Sequence, residues 1–150
     1  MTREQAQNTA RLVRDLLPRG DLAADMADGR HIWDENFVHE FPDDFVINAT
    51  RVPDAVAAID GPVLTWLLDC KDSDPLKAID LLRAHLPRDA EVRHSGLDTP
   101  EIVASGDTKA SGLEEIATIC GVEASDALAF GDGLNDHDMF TWAGSSVAMS

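Results

Sequence analysis

A short apolar run, Ala127 to Phe130, stops at Gly131, and Asp132, Asn135, Asp136 and Asp138 then follow within seven positions. Four apolar residues make a strand, and in open parallel sheets ligands gather beyond the carboxyl ends of the strands. Gly131 and Gly133 permit backbone geometry that a side chain forbids. Carboxylates spaced this closely repel, and the chain is already acidic, with 28 acidic residues against 12 basic ones and a net charge of −16. Something must neutralise the turn: water, a cation or a partner group.

Two readings of the turn are compatible. A hard divalent cation such as Mg²⁺ takes a few carboxylates together with waters and phosphate oxygens, which Asp132 with Asn135 and Asp136 would suit. Asp and Asn also cap helices, and a helix is expected over "NDHDMFTWA". An EF-hand fails, because the third position from Asp132 is Leu134 and no Glu closes the loop. A dinucleotide fingerprint fails for want of a third glycine. His137 has no second His at helical spacing and reads as a solvated helix-face residue. Lys109 opens another expected helix, where the helix dipole disfavours a cation. Either Asp107 or a substrate phosphate would make it comfortable, and the residues alone do not choose between them.

The rest of the chain reads as alternating short elements. Thr2 with Gln5 forms a capping box, after which Ala6, Ala10, Val13 and Leu17 recur at helical spacing. Strands are expected at "LAADM" (22–26) and "HIW" (31–33), joined by an Asp28–Gly29 turn. A short helix is expected from Pro53 to Ile59, with Pro53 in its first turn. "PVLTWLL" (62–68) reads as a strand covered on both faces. Asp74–Pro75 starts a helix to about Leu86. Strands at "AEVRHS" (90–95) and "EIVAS" (101–105) precede a helix from Lys109 to Cys120, closed by Gly121. "ALAF" (127–130) and "SVAM" (146–149) complete the set. The last three β segments alternate with helices, which suggests a parallel sheet with crossover helices. The earlier part reads as a mixed α+β module.

So negative a surface repels phosphate backbones and anionic lipid, which argues against nucleic-acid and membrane partners. No apolar stretch approaches membrane-spanning length and Met1 opens no signal peptide, so a cytoplasmic protein is expected. Cys70 and Cys120 match no metal or redox spacing and are expected to be buried thiols.

The stretch "GDTKASGLEEIA" with "AFGDGLNDHDMFTWAGSSVAM" resembles the haloacid dehalogenase (HAD) superfamily, and within it the Cof-type sugar and metabolite phosphatases. Lys109 matches that family's third motif, and Gly131, Asp132, Gly133, Leu134, Asn135 and Asp136 match its fourth. The resemblance is specific over about residues 104–149 and weaker over 1–103, which is similar to the family's α/β cap. It implies an α/β protein: the C-terminal part of a Rossmann-like parallel-sheet core (104–150) plus a cap module (1–103). It further implies a Mg²⁺-dependent phosphohydrolase acting on a phosphorylated sugar or similar small metabolite through an aspartyl-phosphate. Asp132 and Asp136 would serve the metal, Lys109 would be catalytic and phosphate-binding, and Asn135 would help hold the phosphate.

The family's first motif, an apolar strand ending in Asp-x-Asp, is not found in these residues, nor is the Ser/Thr of its second. Asp72–Ser73–Asp74 is the nearest imitation, but Asp74–Pro75 is already a helix start. The chain begins on a helix and stops one residue past a strand, so both ends read as cuts through a larger fold. The 150 residues alone are therefore expected to be inactive. A non-catalytic cation- or partner-binding module and a piece of a sugar phosphomutase are the alternatives. His31, Trp33, Asp34, His39 and Trp66 stand in the cap region as residues able to face a substrate, with core or surface roles the commoner fate of such residues.

Overall fold

The computed structural model describes residues 1–38, 47–94 and 99–149, and divides into two compact units, Met1–Ser105 and Gly106–Ser150. In the first, helix α1 (Arg3–Leu16) starts at the Thr2 capping box: Gln5 N donates to Thr2 Oγ1 while the Gln5 side chain accepts from the Thr2 amide. Its stripe of Ala6, Ala10 and Val13 is buried. Strands β1 (Asp21–Met26) and β2 (His31–Asp34) form the expected hairpin. Its turn needs Gly29, whose φ of +86° is costly for a side-chain-bearing residue.

Strand β3 (Ala49–Val52), which the sequence did not announce, pairs in parallel with β2 at the sheet edge. Helix α2 (Ala55–Ala58) is capped by Asp54, so Pro53 precedes the cap and lies outside the first turn. Strand β4 (Val63–Asp69), helix α3 (Pro75–His85), and strands β5 (Ala90–His94) and β6 (Pro100–Ala104) complete the unit. The sheet order is β3-β2-β1-β4-β6-β5, and every pair except β2–β3 is antiparallel.

The expected parallel arrangement of the last three β segments holds for 128–131 and 145–148, which pair in parallel, and is corrected for β6, which lies between β4 and β5 with antiparallel neighbours on both sides. "PVLTWLL" is likewise not covered throughout. Asp25 pairs with Thr65 and Met26 with Val63, which leaves Leu64 as an extra residue in a bulge, 59% exposed. The bulge returns Val63 to the helix-covered face.

The three helices pack on one face of this sheet. Ala6, Ala10, Val13, Ala55, Val56, Ala78, Ile79 and Leu82 meet Leu22, Ala24, Ile32, Trp66, Leu68 and Ile102. Each large side chain fully buried there contributes about 1.5–3 kcal/mol. Trp66 donates through Nε1 to the Ala6 carbonyl at 3.1 Å, tying α1 to β4. On the opposite face Ala23, Trp33 and Leu67 cluster under Phe37. Cys70 is buried as expected, and burial pushes its thiol up to about 11, with Asp69 and Asp74 adding to the effect.

One buried carboxylate organises the unit's interior. Asp34 receives the Arg14 guanidinium on both oxygens at 2.9 and 2.8 Å, together with the amides of Leu22 (2.8 Å) and Ala55 (2.7 Å). Arg14 also reaches Asp54 at 2.8 Å. Four elements thus meet at a charge whose acceptor positions are filled, the condition under which a buried ion is tolerated.

In the second unit, helix α4 (Lys109–Cys120) begins at Thr108 and closes on Gly121 at φ +66°. Cys120 is exposed, against expectation, because no residue of α4 is buried. Strands β7 (Leu128–Gly131) and β8 (Ser145–Ala148) pair in parallel, with helix α5 (His137–Trp142) between them. Phe130 pairs with Val147, placing Leu128, Phe130, Val147 and Met149 on one face, all exposed. Among the described residues no helix is long and apolar enough to cross a membrane.

Candidate active site at the acidic turn

The chain leaves β7 at Gly131 and passes through a 3-10 turn at Leu134–Asp136 before α5 begins. A Cβ on Gly131 would lie 2.6 Å from Asp136 Cγ, and one on Gly133 would lie 2.5 Å from Asn135 Oδ1. The glycines are there because the side chains of the turn fold back over its own backbone. Asp136, the N-cap residue of α5, does not cap that helix with its carboxylate. Its Oδ2 accepts instead from the amides of Asp132 at 3.0 Å and Gly133 at 3.1 Å.

The other oxygen, Oδ1, receives the Lys109 ammonium. Of the partners weighed for a lysine at a helix start, Asp107 is not the one that meets it; Asp136, twenty-seven residues on, does. Thr108 holds that start by accepting from Ser111 N at 3.1 Å. Asp136 is 3% exposed while half of the Lys109 side chain remains open to solvent. The Lys109 ammonium foremost, then the Gly133 and Asp132 amides, hold the Asp136 carboxyl below the usual carboxylate range.

Asp132 and Asn135 are exposed on the same turn. The described residues thus join an ammonium, an open carboxylate and an amide through one buried carboxylate. Such a set can bind the oxygens of an anion and one flank of a hard cation. No cluster of three or more His, Cys, Asp or Glu able to hold a metal exists among the described residues. Asp132 alone offers a free carboxylate in the turn's interior sequence, since Asp136 is engaged on both oxygens. His137 and Asp138 are exposed, as a solvated helix face requires.

The residues expected to be available in the first unit fall into different environments. Trp66 is core, and Asp34 is consumed by Arg14 and two amides. Trp33 packs edge-on to Phe37 at 5.1 Å with the Arg51 guanidinium over its ring at 5.2 Å. His31 Nδ1 lies 2.6 Å from Asp25 Oδ1. His39 lies outside the described residues. Asp74 caps α3 by accepting from Leu76 N at 2.9 Å, and Asp72 pairs with Arg19.

The chain is thus an α/β protein with a lysine-opened helix tied to a Gly-Asp-rich turn at a strand's carboxyl end, the place where ligands collect in open α/β sheets. The particular family follows from comparison: residues 31–150 match the haloacid dehalogenase-like hydrolases, and the chain belongs to that family. It is 27% identical over 154 residues to the HMP-PP phosphatase of Enterobacter sp. (strain 638), covering 90% of this chain and 57% of that protein. Among solved structures it resembles a protein of Eubacterium rectale, at TM-score 0.79, 20% identity, and coverage of 99% of this chain and 57% of that one. It also resembles the HAD subclass IIB sugar phosphatase BT4131, at TM-score 0.69, 18% identity, and coverage of 98% and 55%. The chain therefore spans little more than half the length of the relatives it matches.

Proposed function

We propose that this chain is part of a Mg²⁺-dependent, cytoplasmic phosphatase that hydrolyses a phosphate ester of a sugar or similar small metabolite. The observation that carries this reading is the Lys109–Asp136 tie, which holds an ammonium beside the turn bearing Asp132 and Asn135. The family and the printed activities of its relatives, an HMP-PP phosphatase and a sugar phosphatase, support it. In this reading residues 1–103 are the cap and 104–150 the end of the core.

Phosphoryl transfer asks for positioning and charge neutralisation above all. Lys109 balances negative charge on the transferring phosphoryl and on the attacking carboxylate. Asn135 donates to a phosphate oxygen. Asp132 is the ligand open to the cation, and Asp136 serves it indirectly by fixing the turn. Magnesium, when bound, supplies further neutralisation of phosphate oxygens. The attacking aspartate comes from outside residues 1–150. Its oxygen bonds to phosphorus as the bond from phosphorus to the ester oxygen breaks, that oxygen taking a proton from an acid that also comes from outside residues 1–150, and water then cleaves the aspartyl-phosphate to inorganic phosphate and the free carboxylate.

In the complete protein, Lys109→Met should lower turnover of a generic phosphate ester by about a hundredfold or more and leave the circular-dichroism spectrum unchanged. Near-normal turnover would remove Lys109 from the site. The 150 residues alone should show no such activity, and activity abolished by Asp132→Ala would overturn the assignment of the nucleophile to another segment.

A further inference from the structure

Lys71 is the non-glycine residue with left-handed backbone among those described, at φ +51°. Such a conformation is costly for a long side chain, and here it delivers the ammonium to one point. Nζ lies 2.6 Å from Asp69 Oδ2, 2.8 Å from Asp21 Oδ2 and 2.5 Å from the Asn36 carbonyl. Asp69 Oδ2 also accepts the Val38 amide at 2.9 Å, and Oδ1 accepts the amide of Lys71 itself at 2.9 Å. Asn36 and Val38 flank Phe37, which is fully buried over Ala23, Trp33 and Leu67 on the sheet face without helices.

The segment has a second anchor of a different kind. Arg51 Nη1 donates to the carbonyls of Glu35 and Phe37, both at 2.9 Å, and the Phe37 amide donates to Asp34 O at 3.1 Å. Arg51 thus holds the carbonyls of residues 35 and 37, while Lys71 and Asp69 hold the carbonyl of residue 36 and the amide of residue 38. Asp21 and Asp69 are direct cross-strand partners in the β1–β4 ladder. Two carboxylates placed opposite each other repel unless a cation lies between them. Removing that cation would therefore do more than delete one hydrogen bond: it would turn the anchor into a repulsive pair.

We propose that Lys71 is the latch of a conformational strap, residues 36–38, whose release lifts Phe37 from the apolar patch of Ala23, Trp33 and Leu67 while the sheet stays folded. Lys71→Gly tests this, because glycine accepts the left-handed backbone and the ammonium is lost together with its stem. Lys71→Met, which keeps most of the stem, serves if the glycine variant folds poorly. By hydrogen exchange, the Val38 and Phe37 amides should exchange about tenfold faster or more in the variant, while the Ala24 and Ile102 amides keep their rates. Unchanged exchange at Val38 would overturn the latch. So would an equal acceleration at all four amides, which would make Lys71 a contributor to global stability alone.

Discussion

Asp136 joins two stretches of chain that share no local periodicity, and its ionisation state is what makes the joint. Its carboxyl is held low by Lys109 and the loop amides, so the sign of its linkage is that of a depressed acid. The stabilisation is fully present above the unfolded pKa of about 3.9 and is lost as pH falls through the lower folded value. In a pH titration followed by amide resonances, those of Asp132 and Gly133 should shift together with a midpoint below the ordinary carboxylate range. A midpoint at or above that range would mean the carboxylate is not held. The sequence made part of this legible: a lysine at a helix start needs an anion, and the glycines mark a backbone folded tightly. It did not point to Asp136 as an anion for Lys109, since Asp107 two residues away satisfies the same electrostatic requirement and only the fold brings residue 136 there.

Among elements, the four brought together by Asp34 illustrate what pattern reading recovers and what it leaves out. Caps and turns are local chemistry, so the Thr2 box, the Asp74 cap, the Gly29 hairpin and the Gly121 stop were all readable. Strand β3 was not, because Ala49–Val52 is a short edge strand without an alternating apolar pattern. Nor did spacing separate β6 from the following β7: an apolar run specifies a strand but not its neighbours. The Asp34 node was equally invisible, as its partners lie on α1, β1 and α2. Asp34→Ala would strand Arg14 and two amides, and should cost about 3–5 kcal/mol by urea unfolding followed through tryptophan fluorescence. A loss under about 1 kcal/mol, the level of an exposed pair, would show that Arg14 is satisfied by Asp54 alone.

At the scale of the whole molecule, apolar burial is distributed very unevenly between the units. The first holds nearly all of the buried apolar residues, whereas Ala129 is the one buried apolar side chain among the described residues of the second. Stability should follow burial. Amides of β7 and β8 should exchange through local opening well before those of β1 and β4, and the second unit should melt first on heating. A single transition with equal protection in both would contradict this. The first unit carries one more consequence. Met1 and Val63 exchange backbone hydrogen bonds, with Met1 N to Val63 O at 2.8 Å and Val63 N to Met1 O at 3.1 Å. On the other side of β4, Thr65 pairs with Val103, a register that carries Ser105 toward the same residue. Met1 and Ser105 of the unit thus lie toward one strand end, where a few linker residues would suffice to join them. In engineering terms, it is a cassette that a host polypeptide can accept where it would accept a surface loop.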